Sequence, residues 1–230
     1  VTGMKDILPE EMFIRDYLIN IIKKTYGSFG FTSIETPAME HIENLLSKQG
    51  GDNEKLIFKI LKRGEKLKLE NIKDENDLVD AGLRYDLTLP LARYYSNNQA
   101  NLPNPFKALQ IGNVYRADRP QKGRFRQFTQ CDIDILGEAS NLAEIELILA
   151  TTKALSEIAK GKKFTVRIND RRILLAMALF AGYSEENISN VFIILDKMDK
   201  IGLDGVKKEL TELDGADKCE KYLNLFDGLS

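Results

Sequence analysis

The sequence predicts an α+β fold: an antiparallel sheet flanked by helices, followed by a small helical segment. Three observations carry this. Apolar residues recur at helical spacing from Phe13 to Tyr26; two β-prone runs, KALQIGNVYR and FRQFTQCDIDIL, lie close enough to pair as a hairpin; and from Asn169 onward almost every segment reads as helix. With 230 residues, 43% of them hydrophobic, the chain can bury a core as one large domain or two small ones. We divide it at 1–168 and 169–230.

Pro9 with Glu10 and Glu11 starts the first helix, since proline is tolerated at the first position and carboxylates suit the positive end of the helix dipole. Gly27 and Gly30 end it. Phe31 to Thr36 is a strand running into Pro37, EHIENLLSK is a second, shorter helix, and the GGD at Gly50 is a turn. Leu56–Leu61 and Leu67–Leu69 read as strands joined at Arg63-Gly64, and Asn71–Gly82 reads as an inserted surface loop. Pro90 opens the helix LARYYSNN. Lys107–Arg116 and Phe125–Leu136 then form an antiparallel hairpin with a long basic tip.

After the hairpin, Asn141 with Glu144 approximates a capping box, and Ile145, Ile148, Leu149, Thr152, Leu155 and Ile158 form a stripe read as core. Phe164–Ile168 is a further strand. The helical run consists of RRILLAMALFAG, SEENISNVFIILDKMDKIG and two short segments near DGVKKEL and DKCEKYLNLF.

Composition excludes several chemistries. The formal net charge is -2, so neither an acidic tail nor a general basic coat is indicated. Cys131 and Cys219 are too few for a disulfide scaffold; with neither a signal peptide nor a membrane-length apolar run in view, a reducing cytoplasmic setting is expected. One histidine, His41, read as a solvated side chain, does not make a zinc site with two distant cysteines, and Cys131 reads as packing. Whatever chemistry occurs relies on charge and positioning, and no metal-ligand set is expected.

Charge is concentrated locally. Arg116, Arg119, Lys122, Arg124 and Arg126 fall within eleven residues, and Pro103–Gln130 carries six basic residues against Asp118 alone. Guanidinium groups make bidentate, charge-assisted bonds to phosphate and stay ionised at any working pH. In the second hairpin strand, side chains alternate between faces, which puts Arg126, Phe128, Gln130, Asp132 and Asp134 together. That face reads either as a polar cleft or as the ordinary solvated side of an antiparallel sheet. Cations for a phosphate beside acceptors for an amine suit a substrate carrying both.

Gly112–Asp134, GNVYRADRPQKGRFRQFTQCDID, resembles motif 2 of the class II aminoacyl-tRNA synthetases, and its RPQKGRFRQF core is similar to that of the histidyl-tRNA synthetases. Leu83–Tyr94, LRYDLTLPLARY, resembles the amino-acid-binding segment of that family. GMKDILPEE and VRINDRRIL agree with it, as does FTSIETPAME, which looks like motif 1 with its proline at Pro37. The resemblance implies a class II antiparallel catalytic core and the start of a helical insertion domain. It implies ligation of L-histidine to its tRNA through a histidyl-adenylate, with ATP and Mg2+ as the substrate complex and a homodimer formed through motif 1.

By position, the resemblance gives Arg116 the central catalytic place, on the α-phosphate and on the amino-acid carboxylate. Asp118 falls near the adenine and Arg124 at the outer phosphates. Asp86, Leu87 and Thr88 match the segment receiving the α-amino group, Gln130 a second histidine ligand, and Asp134 the acidic residue facing the imidazole. Gln121 and Lys122 would meet the tRNA acceptor stem. Asp86 has a competing reading as a cap of the helix at Pro90. The family's motif 3 and anticodon-binding domain do not appear before Ser230, so the chain is expected to be an amino-terminal fragment. The rival readings are a histidine-sensing paralogue of the ATP phosphoribosyltransferase regulatory type, a tRNA-binding synthetase-like domain, and a structural or dimerising piece.

Overall fold

The structure is a computed structural model that describes residues 1–46, 55–68, 70 and 72–227. The chain divides into two compact units, Val1–Phe164 and Thr165–Ser230. The turn expected at Gly50 and the Leu69 end of an expected strand lie outside the described residues.

In the first unit, α1 (Pro9–Ser28) begins with proline in its first turn and ends where Phe31 N donates to Tyr26 O at 3.2 Å, Gly30 taking the positive φ of 84° that this reversal needs. Two three-stranded sheets follow. The first has the order β1-β5-β6, built from Thr32–Ile34, Phe106–Tyr115 and Gln127–Leu136. β5 and β6 form the expected antiparallel hairpin, from Phe106↔Leu136 to Tyr115↔Gln127, but β1 joins β5 in parallel, so this sheet is mixed.

The second sheet, order β2-β4-β3, is antiparallel and was only partly anticipated. Its central strand β4 (Val79–Leu83) occupies what the sequence presented as a loop. Val79 and Ala81 are buried two residues apart, and Gly82 packs so closely on Ile57 and Leu45 that a Cβ there would stand 2.8 Å from each. Small residues hid an interior strand. β3 (Lys59–Leu61) pairs with β4 rather than with Leu67–Leu69, and Gly64–Lys66 is a short 3-10 turn. β2 (Met39–His41) takes up the start of the expected second helix, leaving α2 as Ile42–Leu45; His41 is exposed, as read, but at a strand end.

One face of the β5–β6 hairpin is covered by helices. Leu109, Ile111, Cys131, Ile133 and Ile135 pack with Tyr26 and Phe31 and with Ala150 and Ala154 of α4 (Leu142–Ala159). The stripe expected to be core on α4 is so only in part: Ile145, Leu149 and Leu155 are exposed, Ile148, Thr152 and Ile158 are half-buried, and the buried face is Ala150 and Ala154 with Leu147 beside them. The helix has apolar residues on more than one side, and its alanines permit the closest approach. Asn141 makes no side-chain cap; the hydroxyl of Ser140 meets Leu142 N instead, at 3.4 Å. The expected strand Phe164–Ile168 is extended but unpaired among the described residues, with Val166 and Ile168 exposed.

The second unit is helical: α5 (Arg171–Ala181), α6 (Glu185–Leu195), α7 (Met198–Asp214), which breaks at Gly202, and α8 (Ala216–Asp227). Asp170 caps α5 by accepting from Arg172 N at 2.8 Å. Its core is Ala178, Tyr183, Val191, Val206, Leu210, Cys219 and Tyr222.

Candidate active site

The opposite face of the hairpin is the polar one. Strand register sets Val114 against Phe128, Gly112 against Gln130, Gln110 against Asp132 and Ala108 against Asp134. Since side chains alternate, these eight share a face. On β5 they are small or amide-bearing, and on β6 three of the four are hydrogen-bond acceptors. The small β5 residues let other groups approach the sheet: Arg84 lies where a side chain at Gly112 would stand, and Ala108 is buried with Leu91 and Phe106.

The segment after β4 is tied down over this floor. Gln110, 2% exposed, donates from Nε2 to Leu87 O at 3.1 Å and accepts from Thr36 Oγ1 at 3.2 Å. Arg116 Nε donates to Tyr85 O at 3.0 Å, and its guanidinium lies 5.1 Å from the Phe128 ring centroid. Those two contacts orient Arg116 from one edge and one face. Its side chain also lines the cavity at the base of the basic arm.

Asp86 does two things. Its Oδ1 accepts from Leu89 N at 3.3 Å in the first turn of α3 (Thr88–Asn98), although the N-cap position itself is Leu87. Its charge is also felt across the cleft: burial raises the Asp134 carboxyl above the usual aspartate range, and Asp86 adds to the rise. Asp132 is raised as well, by burial first, then by Asp134 and Asp86, with Arg116 opposing. Two acceptor atoms, Gln130 Oε1 and Asp134 Oδ2, are buried without a hydrogen-bond partner among the described residues. Buried acceptors left open cost stability unless a donor arrives with the ligand. Leu87, 1% exposed, contributes only backbone, and Thr88 is exposed at the helix start.

Beyond Arg116 the hairpin narrows to its tip. Arg116 N donates to Arg126 O at 2.9 Å, and Gln121 and Arg124 close on each other around Lys122-Gly123, where Gly123 takes a φ of 78°. A cavity of about 480 Å³ lies inside this arm, lined by Leu56, Arg116, Asp118, Gly123, Arg124, Phe125 and Phe128. Its size lies within the roughly 300–1,000 Å³ typical of small-molecule sites. Two arginines and two phenylalanines give it places for an anion and for a flat ring. Arg116 therefore stands where the cationic cavity meets the acceptor-lined floor. Gln121 and Lys122 lie outside the cavity lining, exposed at the tip.

Among the described residues, no three His, Cys, Asp or Glu side chains stand together as a metal site. Cys131, on the helix-covered face, has its thiol pushed up to about 11, by burial and then by Asp132, which suits packing rather than thiolate chemistry. Sequence reasoning assigned no role to Gln110, Arg84 or Asp132. The signal for Asp132 was its period-two alternation with Gln130 and Asp134; Gln110 had the same alternation on β5, hidden in an otherwise apolar strand.

A sequence profile of the histidyl-tRNA synthetases matches residues 3–225 of this chain. The chain belongs to the histidyl-tRNA synthetase family. A histidine--tRNA ligase from Leifsonia xyli is 48% identical over 216 residues, covering 91% of this chain and 49% of that protein. A relative from Bacteroides fragilis with the same description is 41% identical over 219 residues, with coverage of 91% and 48%. The crystal structure of histidyl-tRNA synthetase from Nostoc sp. PCC 7120 superposes with a TM-score of 0.77 at 32% identity, covering 97% of this chain and 47% of that one. A Bacillus halodurans structure described as an ATP phosphoribosyltransferase regulatory subunit/histidyl-tRNA synthetase shares the fold, at 22% identity and a TM-score of 0.73. The chain spans about half the length of the curated histidine--tRNA ligases it matches. The α+β architecture is therefore that of this synthetase family.

Proposed function

We propose that this chain carries the amino-terminal half of a class II catalytic core, residues 1–168, and the start of a helical insertion domain, residues 169–230. Its parent protein would join L-histidine to its tRNA. The observation that carries this is the position of Arg116, held by Tyr85 O and Phe128 between the cavity of Arg124 and Asp118 and the floor of Gln130 and Asp134. One guanidinium there serves both the α-phosphate of ATP and the carboxylate of histidine.

In the first step a histidine carboxylate oxygen attacks the α-phosphorus, the bond to the β-phosphate bridging oxygen breaks, and pyrophosphate leaves as its magnesium complex. In the second, a tRNA ribose hydroxyl attacks the adenylate carbonyl carbon, the acyl–phosphate bond breaks, and AMP departs with the hydroxyl proton on its phosphate. Negative charge builds on phosphoryl oxygens, so prepositioned cations supply most of the help and no protein nucleophile is needed. Arg116 and Arg124 provide cations, and Asp118 faces the adenine end. Asp86, Gln130 and Asp134 accept from the ammonium and the ring N–H, with Leu87 and Thr88 framing Asp86. An amino acid lacking that N–H leaves an acceptor unpaired, which penalises it. Gln121 and Lys122 at the tip face the acceptor stem.

Motif 1 at Pro37 would form a homodimer, and the cytoplasm is the expected compartment; among the described residues no helix is long and apolar enough to cross a membrane. The test is titration calorimetry of the 230-residue chain with histidine and with Mg-ATP. Binding of both, with histidine preferred over other amino acids, supports the reading. Histidine binding with no ATP binding favours the sensing paralogue, and binding of neither leaves only a structural role.

A further inference from the structure

Arg84 directly follows β4 and is 6% exposed. A buried guanidinium usually faces a carboxylate, since an unpaired buried charge is costly. Its hydrogen bonds are of another kind. Nε donates to Asn113 O at 2.9 Å, and Nη1 donates to Thr36 O at 2.5 Å, Thr36 Oγ1 at 3.1 Å and Pro37 O at 3.3 Å. Burial lowers its pKa, while the Tyr115, Glu35 and Glu40 charges oppose the fall at longer range.

Its backbone is engaged too. Arg84 N donates to Ala38 O at 3.0 Å, and Arg84 O accepts from Tyr115 N at 2.9 Å. One residue thus ties Thr36–Ala38, the end of β4 and β5 together. The remaining nitrogen, Nη2, lies against the sheet floor: a Cβ built on Gly112 would stand 2.4 Å from it. Gly112 is the register partner of Gln130. The absent side chain at 112 leaves room for the guanidinium, next to the rung that carries a cleft acceptor.

We propose that Arg84 is a positioning residue of the amino-acid cleft, fixing the segment Tyr85–Leu87 over β5 so that Asp86 faces Gln130 and Asp134. The identity of the ligand rests on the functional reading above. Lysine cannot replace it, because one ammonium does not span Asn113 O on one side and Thr36 and Pro37 on the other as a planar fork does. Arg116 keeps its stack on Phe128 whatever happens at Arg84 and loses at most its Nε bond to Tyr85 O, so the nucleotide end of the site depends on that segment less than the amino-acid end does.

The test uses the 230-residue chain with Arg84→Lys, Gly112→Ala and the double variant. Arg84→Lys is expected to weaken histidine binding about tenfold or more while Mg-ATP affinity stays within about threefold. Gly112→Ala gives the same split, because its methyl group displaces Nη2. The double variant matches Arg84→Lys alone, since lysine places no nitrogen at that point. Equal losses for both ligands, an unchanged histidine affinity, or additive losses in the double variant overturn the proposal. If the wild-type chain binds no histidine, the functional reading fails, and amide exchange decides the positioning: faster exchange at Tyr115 and Leu89 in Arg84→Lys supports it, and unchanged protection overturns it.

Discussion

The side-chain amide of Gln110 joins the floor of the cleft to its wall, donating to Leu87 O at 3.1 Å while accepting from Thr36 Oγ1. Both of its polar atoms are used inside a nearly dry environment, so the amide can neither flip nor be replaced by carbon without loss. Gln110→Met keeps the volume but takes one of two partners from each end: Leu87 O keeps only its bond from Leu91 N, and Thr36 Oγ1 only its bond from Arg84 Nη1. It is expected to cost about 1–3 kcal/mol. Urea denaturation followed by circular dichroism measures this, and a loss below about 0.5 kcal/mol would show that water or another donor replaces the amide.

Asp134 should destabilise the ligand-free protein at neutral pH. Burial and Asp86 raise its folded-state pKa, so ionisation is harder in the folded chain than in the unfolded one. Stability from this group is therefore greatest below the ordinary aspartate range and falls as pH rises through the raised folded value. Asp134→Asn removes that fall. The variant should melt higher than wild type at pH 7 and equally at pH 3, while binding histidine about tenfold or more weakly. A variant that melts lower at pH 7 would mean that Asp134 is paired rather than exposed to its neighbours' charge.

Residues whose chemistry repeats with the strand period were legible in the sequence. Gln130, Asp132 and Asp134 stand on one face because two residues per repeat leave no other choice, and Arg116, one residue past the paired strand, is held beside it by its N–H bond to Arg126 O. What escaped was set by partners distant in the chain. β4 looked like a loop because Gly82 gains its meaning only from Ile57 and Leu45 pressing on it. The exposed part of the α4 stripe looked like core because periodicity shows a helix to be apolar without saying which side meets α1. Arg84 gave no signal, as its acceptors are backbone carbonyls that every residue has. The site was legible where it is built from side chains on one strand and illegible where backbone supports it.

Arg116→Lys should separate charge from geometry. Lysine keeps the cation but loses the Nε bond to Tyr85 O, the stack on Phe128 and the two-pronged contact with phosphate. Mg-ATP affinity is expected to fall about tenfold or more, as for loss of charge-assisted bonds worth about 1.5–3 kcal/mol. The melting temperature should move little, because the side chain is only half-buried. An unchanged ATP affinity would show that Arg124 alone holds the phosphates.

Gly3 fastens the amino-terminal segment to the base of the basic arm. Its carbonyl accepts from Arg126 N at 2.7 Å, and Arg126 in turn reaches Asp118 O through Nε at 3.0 Å and Thr2 O through Nη1 at 3.3 Å. Gly3 takes a φ of 84°, and a Cβ on it would stand 2.6 Å from Pro120 Cγ and 3.0 Å from Arg126 Cγ. Backbone preference and space both oppose a side chain, because the left-handed region alone costs an L-residue about 1–2 kcal/mol. Gly3→Ala should therefore release residues 1–8 from the arm, seen as faster amide exchange at Arg126 and earlier proteolysis before α1. Asp118 would lose its tether, and Mg-ATP affinity would fall while histidine affinity stays the same. Wild-type protection at Arg126 in the variant would show that the segment rearranges around the methyl group and holds the arm by other contacts.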